Sequence, residues 1–204
     1  MKIINIAAGS WASNCYALIS GAHALVVDPS ASCDAILGAL EKEGAKIEGI
    51  LLTHGHFDHI MSLDTLRQKT GAPAMIHELD DEMLTDGAKN AFLTFFGMDK
   101  RFRPAERLLR DGDTIELGEE QIRVIHTPGH TKGSSCYLAG DALITGDTLF
   151  ADSYGRCDLF GGDIMKMRDS LAKLRELDPS LTIYSGHGRE NALGLALDNT
   201  SYLI

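Results

Sequence analysis

Three of the eight histidines in this 204-residue chain fall in one short run, Thr53-His54-Gly55-His56-Phe57-Asp58-His59. The run follows the apolar residues Ile50-Leu51-Leu52 and precedes a helical pattern, so it reads as a strand-to-helix loop. Such a loop gives nitrogen and oxygen ligands a fixed backbone from which to converge on a cation. On an extended segment His54 and His56, two apart, point the same way. Asp58 and His59 lie where the chain has turned and address a neighbouring position. Four candidate ligands in six residues crowd a single tetrahedral ion, and two adjacent ions divide them more comfortably.

Three later positions share that context. His130 lies in Thr127-Pro128-Gly129-His130-Thr131, Asp147 in Thr145-Gly146-Asp147-Thr148, and His187 in Ser185-Gly186-His187-Gly188, each just after an expected strand. Strand ends of a common sheet open on one edge, so residues distant in sequence can meet there. A lone histidine after a strand is ordinarily a surface or core residue. The clustering sets this chain apart, because packing gives little reason to gather so many imidazoles at a turn. Asp147 alone would serve equally as a turn residue or a helix cap. His126 and His130 have the spacing of a helical ligand pair, but Pro128-Gly129 breaks any helix between them. His130 is therefore the candidate ligand and His126 a strand-end neighbour, while His23 and His77 read as structural.

The elements that must position these groups alternate. Lys2–Ile6, Asn14–Ser20 and Ala24–Asp28 read as strands, the last two joined by a hairpin at Gly21-Ala22-His23. A helix is expected over Ser32–Glu43, capped by Ser32 and ended at Gly44. Strand Ile47–Leu52, helix Ile60–Lys69 and strand Pro73–Ile76 continue a βαβ pattern. Short helices are expected over Glu78–Leu84 and Ala88–Phe96, followed by the basic run Lys100-Arg101-Phe102-Arg103. That stretch admits two readings: a lid whose cations attract an acidic substrate, or an ordinary helix burying its aromatic face. The plainer reading is favoured. Hairpins Asp113–Leu117/Gln121–His126 and Ser135–Ala139/Ala142–Thr145 follow, then helix Ile164–Leu177, strand Leu181–Tyr184 and helix Asn191–Leu197. Two similar halves of this kind can stack sheet on sheet into one four-layer αββα sandwich, two mixed sheets flanked by helices, spanning 1–204.

Composition narrows the partners. The chain is 44% apolar and 24% charged, ordinary for a globular protein, and its net charge is −10. That sign disfavours nucleic acid or an anionic membrane as the main partner. The apolar runs are far shorter than the ~18 residues of a membrane span, and no secretory segment is evident near the start. The four cysteines, Cys15, Cys33, Cys136 and Cys157, are scattered with no C-x-x-C pair. Reduced, mostly buried thiols and a cytoplasmic location are expected. The oligomeric state is not encoded in any pattern found.

The H-x-H-x-D-H run, the Thr-Pro-Gly-His-Thr turn, Thr-Gly-Asp-Thr-Leu-Phe and the late Gly-His-Gly, in that order over nearly the whole chain, resemble the metallo-β-lactamase superfamily. Asn14-Cys15-Tyr16, Asp28-Pro29, Gly155-Arg156-Cys157-Asp158 and Gly161-Gly162-Asp163 make it most similar to the short glyoxalase II-like (hydroxyacylglutathione hydrolase-like) proteins. The resemblance implies the αββα fold and a two-metal site. By it, His54, His56 and His130 hold a first ion, Asp58, His59 and His187 a second, and Asp147 bridges them. It also places Arg156 where glyoxalase II enzymes carry a lysine that contacts glutathione; arginine can do similar work on a carboxylate. Two positions on, the family tyrosine is Asp158 here. With 17 residues after His187, no counterpart of the C-terminal helical domain of full-length glyoxalase II is expected in this sequence.

Neutral imidazoles with few carboxylates suit two Zn²⁺ ions, with iron or manganese as the other candidates. Two ions about 3.5–4 Å apart can share a hydroxide at neutral pH and polarise a carbonyl. A thiolate leaves readily, so a small S-acylglutathione-like thioester needs no strong general acid, and none is evident. In this reading Asp58 also orients the attacking hydroxide. The alternative of the same fold is a persulfide dioxygenase using one iron, with His54, His130 and Asp147 as the working set. Hydrolysis of a lactone or another ester, and a non-enzymatic metal-holding module, rank lower. A purely structural ion needs only about four closed ligands.

Overall fold

The computed structural model describes residues 1–8 and 13–202. Its first sheet contains β1 (Lys2–Ala8), β2 (Asn14–Ser20), β3 (His23–Val27), β4 (Lys46–Leu51), β5 (Ala74–His77) and β6 (Arg107–Leu109), hydrogen-bonded in chain order. β1, β2 and β3 are antiparallel neighbours; from β3 to β6 the pairing is parallel. The second sheet contains β7 (Thr114–Leu117), β8 (Glu120–His126), β9 (Ser135–Ala139), β10 (Ala142–Gly146), β11 (Thr182–Ser185) and β12 (Asn191–Ala192), again in sequential order. Only β10 and β11 run parallel there.

The two-residue period of each strand sorts its side chains into layers. In β2, Cys15, Ala17 and Ile19 pack with Ile36 and Leu40 of α1 (Cys33–Lys42) and with Leu63 and Leu66 of α2 (Leu63–Thr70). The alternate residues Tyr16 and Leu18 face the second sheet, meeting Val124, Tyr137 and Ile144. That sheet's other face presents Ile125, Cys136, Leu143 and Ile183 to Met167, Leu171 and Leu174 of α5 (Ile164–Leu174) and to Leu193 and Leu197 of α6 (Leu193–Asp198). Helix, sheet, sheet, helix is thus the order of layers, as the alternating pattern implies. Two smaller helices, α3 (Asp81–Leu84) and α4 (Phe92–Phe96), cross between β5 and β6. Among the described residues no helix is long and apolar enough to cross a membrane.

Local chemistry sets the helix limits. The Ser32 hydroxyl accepts from the Ala35 amide at 3.3 Å at the start of α1, and Asp163 accepts from Met165 and Lys166 at the start of α5. Elsewhere the boundaries move from the expected ones. Residues Phe57–His59 make a separate 3₁₀ turn before α2. Asn191 and Ala192 pair with β11 before α6 begins. The helix expected over Ala88–Phe96 shrinks to its last five residues, because Ala91 just before it is left-handed at φ +68° and breaks the helical path; the Asn90 side chain accepts from the Phe92 amide at 3.0 Å.

Candidate metal centre

β8 is antiparallel to β9, and β9 to β10, so β8, β10 and β11 all run the same way. Their C-terminal ends therefore share one edge. The first sheet meets them there: the Thr53 carbonyl, just past β4, accepts from the Ser135 amide at 3.0 Å. The loops carrying His54–His59, His130, Asp147 and His187 leave from those four strand ends.

All seven expected side chains converge. Ligand atoms of His54, His56 and His130 lie within 4.8 Å of one another, as do those of Asp58, His59 and His187. A third such group, His54, His59 and Asp147, joins them. Asp147 stands between: Oδ1 is 3.3 Å from His59 Nε2, and Oδ2 is 3.5 Å from both His130 Nε2 and His187 Nε2. Asp58 Oδ2 is 3.3 Å from His187 Nε2 and 3.7 Å from His59 Nε2.

The hydrogen bonds behind the rings fix which nitrogens carry lone pairs. His130 Nδ1 lies 2.7 Å from the Arg156 carbonyl, which can only accept, so Nδ1 donates and Nε2 is bare. His59 Nδ1 donates to Asp28 Oδ2 at 2.9 Å, so that Nε2 is the nitrogen that is bare in the neutral ring. The Thr53 hydroxyl gives its one proton to Asp28 Oδ2 at 2.6 Å and so accepts from His54 Nδ1 at 3.0 Å. His54 Nε2 is then bare as well, and it faces the bare His130 Nε2 at 3.2 Å. His56 Nδ1 reaches the same point, 2.8 Å from His130 Nε2. The His54 and His130 lone pairs, 3.2 Å apart, repel unless a cation is shared between them. His59 Nε2 and Asp147 Oδ1, both buried, have no hydrogen-bond partner among the described residues. The donor set fits metal: imidazole nitrogens with two carboxylates, and three of the rings, His54, His59 and His130, oriented by a group behind them.

Electrostatics divide the centre into two halves. Burial, reinforced by the His130 ring, pushes the His56 pKa down to about 3, and burial likewise holds His54 well below the usual histidine range. These rings stay neutral, the state a ligand needs. Around Asp58 and Asp147 the balance reverses. Burial opposes an imidazolium at His187, yet hydrogen bonds to Asp147 and Asp58 raise its pKa to about 9. Burial opposes charge at His59 too, but the neighbouring charges of Asp147, Asp58 and Asp28 put it well above the usual range. That half calls for positive charge.

Several supporting residues were not evident as such from sequence. Asp28, singled out only within Asp28-Pro29, is buried and also accepts from the Thr53 amide at 2.8 Å; it adopts φ +48°, which a sequence pattern does not reveal. Asp80 is fully buried and accepts from the Gly55 and Gly133 amides and the Thr131 hydroxyl, tying together the loops of His54–His59 and His130. Asn14 and Tyr16 hold the His187 loop: the Asn14 side-chain amide donates to the Ser185 and Gly188 carbonyls, and the Tyr16 hydroxyl to Ser185. Gly186 allows a very close approach, since a Cβ there would lie 2.1 Å from Asp147 Oδ1.

A pocket of about 180 Å³ opens over the centre, lined by His56, Asp58, His130, Asp147 and His187 and by Phe57, Ala91, Phe95 and Leu159, of which Phe57 packs on Phe95 and clusters with Ala91 and Leu159. Arg156 stands at its rim, with its guanidinium on Asp158 at 2.6 and 2.8 Å. The basic run does not reach the pocket: Lys100 stacks on Phe92 and Phe102, Arg101 pairs with Asp99, and Arg103 lies against Asp64. Phe92 is buried near Phe57, as the plainer reading of that helix expects, while Phe95 is 45% exposed at the pocket. His126 stacks on the buried His77 with ring centroids 4.0 Å apart, and His23 pairs with Glu48; neither group belongs to the centre.

This fold and this centre are those of metal-dependent hydrolases of the metallo-β-lactamase fold. The chain belongs to the metallo-β-lactamase superfamily, whose family model matches residues 8–187. A protein of Bacillus subtilis (strain 168) named "Probable metallo-hydrolase YqgX" is 33% identical over 206 residues, covering 100% of this chain and 98% of that one. Among solved structures, the BLEG-1 B3 metallo-β-lactamase superposes with a TM-score of 0.92 at 32% identity, covering 99% of each chain. TTHA1623, solved in a di-iron-bound form, gives 0.86 at 29% identity, covering 98% of this chain and 99% of that one.

Proposed function

We propose that the protein is a binuclear hydrolase of small thioesters, S-acylglutathione-like and close to the glyoxalase II-like proteins in its chemistry. The observation that carries this is the pair of adjoining ligand groups with Asp147 between them. His54, His56 and His130 would hold one ion, Asp58, His59 and His187 the other, and Asp147 both. When bound, such ions supply an acidified water and an electrophilic partner for a carbonyl oxygen. The chain's own residues do the rest. Asp28, Thr53 and the Arg156 carbonyl lock three imidazoles with bare Nε2 atoms inward. Burial keeps His54 and His56 neutral. Asp58, held by Ser13 through its backbone carbonyl at 3.0 Å and its carboxylate at 3.2 Å, faces the pocket and would orient the attacking water. Arg156 at the rim is positioned for a carboxylate on the departing thiol, in exchange for Asp158.

The net reaction consumes one water, breaks the acyl C–S bond, forms a C–O bond, and releases a carboxylate, a thiol and a proton. A thiolate is a good leaving group, which suits a pocket lined by no spare acid. Zinc is the proposed metal, and the di-iron form of TTHA1623 makes iron the alternative. The likeness to BLEG-1 supports a second reading, opening of a β-lactam ring.

Metal analysis of protein purified without added metal, paired with S-lactoylglutathione and cephalosporin assays, separates these. About two ions per chain with thioester cleavage supports the first reading. β-Lactam turnover alone supports the second, and one iron with oxygen consumption on glutathione persulfide overturns both. Asp147→Ala is expected to lower activity by at least about a hundredfold, the scale of losing shared metal electrostatics, while circular dichroism stays native. Near wild-type turnover would remove the bridging role.

A further inference from the structure

The pocket lining is of two kinds. Beside the ligands, Phe57, Ala91, Phe95 and Leu159 pack into an apolar wall whose side chains offer no hydrogen-bonding group. Two independent features suggest that this wall receives a ligand. Phe95 remains 45% exposed, although Phe92 on the same short helix is buried. Ala91 adopts φ +68°, a left-handed conformation that favours glycine, and its methyl is part of the wall. Holding a Cβ there costs about 1 kcal/mol, and strain of this kind clusters at ligand sites.

We propose that the acyl group of the substrate is apolar, a short alkyl or arylalkyl chain seated on this wall, and that Phe95 sets the preference. The inference rests on the thioester reading and narrows it. The pocket, at about 180 Å³, is smaller than the ~300 Å³ lower bound of drug-sized sites, so only the smaller end of a thioester enters it. The long, polar thiol carrier extends past Arg156 to solvent. A hydroxylated acyl group such as lactoyl, seated on this wall, would turn its hydroxyl toward side chains that cannot bond it and lose its water, since the other polar groups of the lining are ligands or Arg156, already paired with Asp158. An alkyl chain loses nothing and buries its methylenes.

The test uses the metal-loaded full chain with glutathione thioesters of lactate, acetate, butanoate and hexanoate. kcat/KM is expected to rise about fourfold per added methylene, the worth of one buried CH₂, until the wall is covered, with lactoyl below butanoyl. Phe95→Ser should flatten that slope while metal content and thermal midpoint stay unchanged. A flat wild-type series, a preference for lactoyl, or an unaltered slope in Phe95→Ser overturns the proposal. Calorimetric titration with the free acids supplies an arm independent of turnover: hexanoate should bind at least tenfold tighter than lactate. If no thioester is cleaved but this ratio holds, the thioester reading fails and the apolar wall stands. If hexanoate binds no tighter than lactate, the wall proposal fails whatever the thioesters do.

Discussion

Replacing Asp28 by asparagine removes one negative charge from behind two imidazoles at once, because its carboxylate receives His59 Nδ1 directly and His54 through the Thr53 hydroxyl. Groups behind the ligands that fix ring orientation typically contribute 10–100-fold in metal affinity. Asp28→Asn should therefore weaken ion binding by about that factor, read by competition with a chromophoric chelator, with the fold intact by circular dichroism. An unchanged affinity would show that His54 and His59 need no such support. The contrast between Asp28 and the ligands explains what the sequence can disclose at this scale. His54, His56, Asp58 and His59 are legible because four metal-binding side chains in six residues have no ordinary structural purpose. Asp28 is a lone acidic residue after an apolar strand, and Asp80 one of several in an acidic stretch. What marks them is burial and the partners they meet, and those exist only after folding.

At the scale of elements, the loop after β11 crosses the loop after β10 with no room for a side chain. Gly186→Ala would place a methyl 2.1 Å from Asp147 Oδ1 and 2.6 Å from His59 Cε1. Backbone and ligand must separate, so the variant should lose about one ion per chain and most activity, measured by metal analysis after gel filtration. A second element-level device is Asp80, which joins the loop after β4 to the loop after β8. Burial pushes its carboxyl up to about 6, against the pull of Thr131, Gly133 and Gly55. A folded-state pKa above the unfolded value gives stability that is complete below the unfolded pKa and is lost as pH rises through about 6. The advantage in unfolding free energy of wild type over Asp80→Asn should therefore shrink by on the order of 3 kcal/mol between about pH 4 and pH 7. Equal pH profiles would show that the carboxyl is not desolvated. Most elements were readable from alternation and caps, α1 with its Ser32 cap above all. β6 and β12, of three and two residues, were not: so short a run carries no period, and only the neighbouring strand makes it a strand.

For the whole molecule, the centre draws His54, His56, Asp58 and His59 from the first sheet's side and His130, Asp147 and His187 from the second's. Ions bound only by the folded chain stabilise it by mass action, about 2.7 kcal/mol at a hundredfold excess over Kd. For a chain of this length that corresponds to a melting point about 5–10 °C higher than after chelation, observable by differential scanning calorimetry with and without EDTA. No shift would mean that the folded chain binds the ions no better than the unfolded one. The layered architecture was legible because each half repeats the same alternation of strands and helices. How the halves face each other was not, since Tyr16 and Leu18 reach Val124, Tyr137 and Ile144 across more than a hundred residues of chain. One consequence of the shared edge concerns time rather than energy. Cargo gripped from both sides of a seam leaves only when the seam parts, so the rate at which the ions escape to a scavenger is a clock for how often the two halves breathe apart.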